Sequence, residues 1–86
     1  MNPIPVRVTV MDTWDEIALN VPPTVRVADV KARALAQARV TRSAADYLVK
    51  FRGAELPEGE TTVGDAGVVA NGALLVMSRR RIPAKT

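Results

Sequence analysis

Glu55, Glu58 and Glu60 crowd one short stretch of this sequence, and Thr61-Thr62 follow directly. Carboxylates at such spacing could exchange protons with a substrate, and a hydroxyl beside a base could act as a nucleophile. Both roles need a pocket and a proton acceptor tuned to neutral pH. The 86 residues contain no histidine and no cysteine. The usual general base, the usual metal ligands, the thiolate nucleophile and the disulfide staple are therefore missing together. No glycine-rich run has the spacing of a phosphate cradle. The expectation is a protein that is not an enzyme and that uses no cofactor and no metal.

Binding chemistry is better represented. Arg79, Arg80, Arg81 and Lys85 fall in the last eight residues with no acid among them, while residues 1–78 hold eight basic and nine acidic groups, a balance of −1. The formal net charge of +3 is thus a property of the tail. Such a tail could grip nucleic acid or an anionic membrane, or it could simply be solvated; no aromatic residue interleaves it. Trp14 could anchor a contact or fold back over a sheet edge. A third set, Leu48, Lys50, Arg52, Leu75, Met77 and Arg79, draws its meaning from the elements that carry it.

Those elements follow from periodicity. Val6, Val8 and Val10 alternate with Arg7, Thr9 and Met11, and Ile17, Leu19 and Val21 alternate with Glu16, Ala18 and Asn20. Period two marks two half-buried strands, and Asp12-Thr13-Trp14-Asp15 is the turn between them. Pro22-Pro23 stops the second strand. From Val27 the apolar residues recur at helical spacing through Val30, Ala34, Leu35 and Ala38, with Asp29, Lys31, Arg33 and Gln37 on the other side. Thr24 is a candidate cap, and Asp29 and Arg39 suit the two ends of the helix dipole. Residues 46–52 read as a third strand with Tyr47, Val49 and Phe51 inward, ending at Gly53. Leu56 returns to the core, 57–60 turn at the surface, and 61–67 fit a helical turn or an irregular loop. Asn71-Gly72 turns into a last strand over 73–77.

Strand, strand, helix, strand, strand in that order predicts a two-layer α+β domain, with a mixed sheet of four to five strands packed on one helix and the terminal strands parallel at its centre. A chain of this length has no room for a second core. The domain is expected over 1–79, with 80–86 a basic tail. Nothing approaches a membrane-spanning apolar run, and Met1-Asn2-Pro3-Ile4-Pro5 has neither the basic start nor the apolar stretch of a signal peptide. The expected location is the cytoplasm. If Val49, Phe51, Leu74 and Val76 point inward, then Leu48, Lys50, Leu75 and Met77 point outward. The expectation is an exposed apolar cluster of Leu48, Leu75 and Met77, bordered by Lys50, Arg52 and Arg79. It would receive an amphipathic acidic helix or an extended peptide, unless these are ordinary surface residues or the tail covers them.

In the order of these features the chain resembles the ubiquitin-like β-grasp family over residues 6 to 79. The resemblance is carried by the N-terminal hairpin, the helix containing Val30-Lys31-Ala32-Arg33, the segment Phe51-Arg52-Gly53-Ala54-Glu55-Leu56, and the turn Pro57-Glu58-Gly59. Thr62-Val63-Gly64-Asp65-Ala66-Gly67-Val68, Asn71-Gly72 and a strand ending at Arg79 complete it. The resemblance implies a module that docks partners on its sheet face. Modifiers and sulfur carriers of that family act through a mobile Gly-Gly after the last strand, whereas Arg81-Ile82-Pro83-Ala84-Lys85-Thr86 stands here and no glycine follows Gly72. The chain is therefore read as a non-conjugated adaptor or accessory subunit. The segment Asp65-Ala66-Gly67-Val68-Val69-Ala70-Asn71-Gly72 looks like that of the YukD-like proteins of bacterial type VII secretion systems, which also lack the di-glycine. The alternative is binding of an anionic ligand through the basic tail.

Overall fold

The computed structural model describes residues 3–79. The valine-rich alternation at the start becomes two antiparallel strands, β1 (Ile4–Val10) and β2 (Asp15–Val21), in register from Ile4 opposite Val21 to Val10 opposite Asp15. Val6, Val8 and Val10 share one face with Ile17, Leu19 and Val21, as period two requires.

Helix α1 (Val27–Gln37) follows and buries Val27, Val30, Ala34 and Leu35. Its start differs from the expected one. Arg26, in extended geometry, is the N-cap and no side chain caps the helix, so Thr24 has no such role. The loop before the last strand satisfies the helix start instead. The Val27 N–H donates to the Thr61 carbonyl at 2.9 Å, and Arg26 bridges Thr62. The far end also differs. Arg39 lies beyond the C-cap Ala38 in left-handed geometry (φ 61), so no basic residue stands in the last helical turn. Arg39 takes the position glycine usually fills, and its N–H and that of Val40 return to the carbonyls of Ala36 and Leu35.

A short 3₁₀ turn, Ala44–Asp46, leads into β3 (Tyr47–Phe51), which pairs with β4 (Ala54–Glu55) through a two-residue turn at Arg52-Gly53. Both turn residues have positive φ (55 and 83), the geometry that matches the twist of a hairpin. β5 (Gly72–Ser78) runs parallel to β1 and antiparallel to β3, giving the order β2-β1-β5-β3-β4. Five strands and the parallel central pair agree with the sequence-based expectation. Gly72 has no freedom to be larger: a Cβ there would meet the Val69 carbonyl at 2.9 Å and the Phe51 ring at 3.3 Å.

The core lies between α1 and one face of the sheet. Val8, Val10, Val21, Val30, Tyr47, Val49, Val63 and Val76 are wholly buried in it, with Leu56, Val68 and Leu74 sealing its margin. Lys31 is buried with them, although periodicity places it on the polar side of the helix. The expected tail, 80–86, lies outside the described residues.

Candidate functional site: the outer face of the sheet

The strands that bury Tyr47, Val49, Phe51, Leu74 and Val76 must turn the intervening side chains to the opposite face. Leu48 stands opposite Met77, and Lys50 opposite Leu75. Thr9 of β1 is opposite Leu75 on the other side, and Met11, whose N–H donates to the Val76 carbonyl at 2.9 Å, falls next to Met77 by the same register. Leu48, Leu75 and Met77 thus form a contiguous apolar strip over β3 and β5, flanked by Lys50. They are half-buried rather than fully exposed, because neighbouring side chains on one sheet face shield one another. The β1–β2 half of the same face is polar, and Arg7 pairs there with Glu16 at 3.7 Å. Met11 and Thr9 belong to the site as well. The alternation that places Arg7, Thr9 and Met11 away from the core was the signal for them.

The remaining two expected members are held elsewhere. Arg52 sits in the β3–β4 turn, with its guanidinium carbon 5.1 Å from the Phe51 ring centre, so it borders the opposite end of β3 from Leu48. It lines an open cleft of about 500 Å³ together with Phe51, Val69, Asn71 and Gly72. Arg79 is drawn into an ion cluster. Its Nη1 lies 3.3 Å from Glu55, its Nη2 lies 3.8 Å from Glu58, its Nε donates to the Ala45 carbonyl at 3.1 Å, and its backbone N–H donates to the Asp46 carbonyl.

That cluster extends into the core. Lys31, only 4% exposed, donates to the Tyr47 carbonyl at 2.9 Å and lies 2.7 Å from the other oxygen of Glu58. Glu55 and Glu58 therefore do converge, but on cations rather than on a substrate. A buried ammonium is tolerable only with such partners, since desolvating an unpaired charge costs several kcal/mol, on the order of 5. Sequence spacing carries no sign of this arrangement, because Glu58 approaches Lys31 only once the loop after β4 folds back to the helix. Among the described residues no three acidic side chains are placed to hold a metal ion.

At the same end of the sheet, the hydroxyl of wholly buried Tyr47 donates to Asp12 Oδ2 at 2.5 Å, tying β3 to the β1–β2 turn. This hydrogen bond holds the Tyr47 hydroxyl above its ordinary pKa, and burial adds to the shift. Trp14 does not fold back; it is 72% exposed.

No family model matches the chain, and no curated protein matches it. Solved structures do. The ubiquitin of Caldiarchaeum subterraneum has a TM-score of 0.77 at 15% identity, covering 92% of this chain and 96% of that one. The solution structure of a ubiquitin-like domain of an Arabidopsis thaliana protein has a TM-score of 0.76 at 16% identity, covering 100% and 87% respectively. A de novo design based on ubiquitin reaches 0.79 at 14% identity, with 98% of each chain covered. No helix among the described residues is long and apolar enough to cross a membrane. At these identities the likeness is one of architecture: the chain has the ubiquitin-like fold, an α+β β-grasp with one helix on a five-stranded mixed sheet.

Proposed function

We propose that this protein is a non-conjugated ubiquitin-like interaction module, not an enzyme, that receives another protein on the outer face of its sheet. The observation that carries the reading is the strip Leu48, Leu75 and Met77, which faces away from α1 and has no second layer over it among the described residues. An apolar strip on a rigid sheet, with an adaptable methionine and a flanking lysine, suits the apolar face of an acidic amphipathic helix or an extended peptide. Lys50 sits at its margin and would meet the acidic rim of such a partner. Arg52 and Arg79 contribute less than Lys50, because one stacks on Phe51 and the other is paired with Glu55 and Glu58.

A role without conjugation is supported by the stretch after β5, where modifiers of this fold carry two glycines and residues 79–86 have none. The finer reading is an accessory subunit of a bacterial type VII secretion system, acting in the cytoplasm. It rests on the resemblance of Asp65–Gly72 to the YukD-like proteins, and a neighbouring gene for a secretion ATPase would support it.

The test is parallel capture from host lysate by the wild type and by Leu48→Glu/Met77→Glu, with bound proteins identified by mass spectrometry. A partner retained by the wild type and lost from the folded double variant supports the reading. Equal capture by both refutes it. The anionic-ligand alternative is favoured by the four basic residues in the last eight. It predicts binding to duplex DNA or anionic vesicles that falls steeply with salt and disappears when the chain is cut after Ser78.

A further inference from the structure

Trp14 breaks two local rules at once. It is the sole tryptophan of the chain and is 72% exposed, and its backbone is left-handed at φ 57. The turn that carries it closes with the Thr13 N–H donating to the Val10 carbonyl at 3.3 Å, followed by one left-handed residue before β2. Glycine is the usual occupant of that position, and a side chain there costs about 1 kcal/mol. Neither backbone geometry nor packing therefore calls for an indole. The turn is also firmly placed, since Asp12 accepts the Tyr47 hydroxyl from beneath the sheet.

The surroundings state what chemistry the indole would meet. Asp12, Asp15 and Glu16 flank it in sequence. Asp12 accepts the Tyr47 hydroxyl, whose ring carries Arg42 at 5.7 Å, and Glu16 pairs with Arg7, so Asp15 is the carboxylate of the turn left unpaired among the described residues. Asp15 and Trp14 are both exposed. An aromatic face beside a free carboxylate attracts a planar cation, which can stack on the ring while its N–H groups reach the acid. Arginine meets both demands, whereas lysine offers a point charge with no planar face. Nucleic acid and anionic membrane are disfavoured by like charge.

We propose that the turn Asp12–Glu16 is a second contact surface, which takes an arginine-bearing segment of a partner protein with the guanidinium stacked on Trp14 and paired to Asp15. It differs in sign from the Lys50-flanked strip and does not depend on that strip being a docking site.

Because Trp14 is the sole tryptophan, the emission of the full chain reports on this site alone. The probes are blocked octapeptides of alternating glycine and arginine, glycine and lysine, or glycine and glutamate, titrated at low salt. The arginine peptide is expected to change the emission saturably and to protect the indole from acrylamide quenching. The lysine peptide should bind more weakly and the glutamate peptide not at all. Asp15→Asn/Glu16→Gln should weaken the arginine peptide about fivefold, and the charge-neutral Leu48→Ala/Met77→Ala should leave it unchanged. In Trp14→Gly, binding followed by anisotropy of a labelled arginine peptide should be lost while thermal unfolding stays cooperative. No saturation, an equal response to the glutamate peptide, or an unchanged affinity in Asp15→Asn/Glu16→Gln would overturn the proposal. So would emission that shifts when Arg80, Arg81 and Lys85 are replaced by alanine yet ignores added peptide, since the chain's own tail would then occupy the site.

Discussion

Leu74 and Leu75 are the same residue type, adjacent in one strand, and they lie on opposite faces of one sheet. Leu74 is buried at the margin of the core on the face that α1 covers, and Leu75 shares the outer strip with Leu48 and Met77. The inner face is closed by a helix whose alanines allow close approach; the outer face has only its own neighbours for cover. The pair shows that apolar content alone does not define a core. A strand that is apolar on both faces, in a domain with one helical layer, has more apolar surface than its fold uses. The surplus is where recognition can be placed without disturbing stability.

The sharpest way to break this contrast is to truncate both leucines. Leu74→Ala should lower unfolding free energy by about 3 kcal/mol through lost burial and an unfilled cavity, and Leu75→Ala by about 1 kcal/mol. Equal losses in urea denaturation would mean the outer face is part of the core. Glu58→Ala should cost nearly as much as Leu74→Ala, about 3 kcal/mol, because it leaves the buried Lys31 ammonium without its acidic partner. Adding Lys31→Met to that variant should recover most of the loss. Failure to recover would locate the contribution of Glu58 in its contact with Arg79 instead.

Tyr47→Phe should cost about 1 kcal/mol by removing the bond to Asp12. The folded state holds this hydroxyl above its ordinary value, so its stabilisation is present below the unfolded pKa of about 10 and is lost as pH rises through the higher folded value. Wild-type stability should therefore fall in alkali more steeply than that of Tyr47→Phe, and parallel curves would argue against the bond. Smallest of all, and opposite in sign, Trp14→Gly should raise the melting temperature slightly by releasing left-handed strain worth about 1 kcal/mol. A lower melting temperature would mean the indole packs.

Period-two alternation in β1, β2, β3 and β5 and the helical stripe from Val27 were enough to predict the layers, the parallel pairing of β1 with β5 and the outward direction of Leu48, Lys50, Leu75 and Met77. These are local patterns, and each repeats often enough to be read. The misplacements share a cause. Lys31 reads as a surface residue because its partners, Glu58 and the Tyr47 carbonyl, come from other elements. Arg79 and Arg52 read as free cations because ion pairing and stacking depend on side chains distant in sequence or on a turn conformation. Thr24 reads as a cap because a backbone carbonyl from Thr61 satisfies the helix start and leaves no trace in composition.

Docking of a partner on the outer strip is tested directly by amide chemical shifts of the labelled chain, followed while a captured partner is added. The largest changes should fall on Leu48, Lys50, Leu75 and Met77. Changes confined to the exposed side of α1, around Ala32, Arg33 and Ala36, with the strip unmoved, would contradict it.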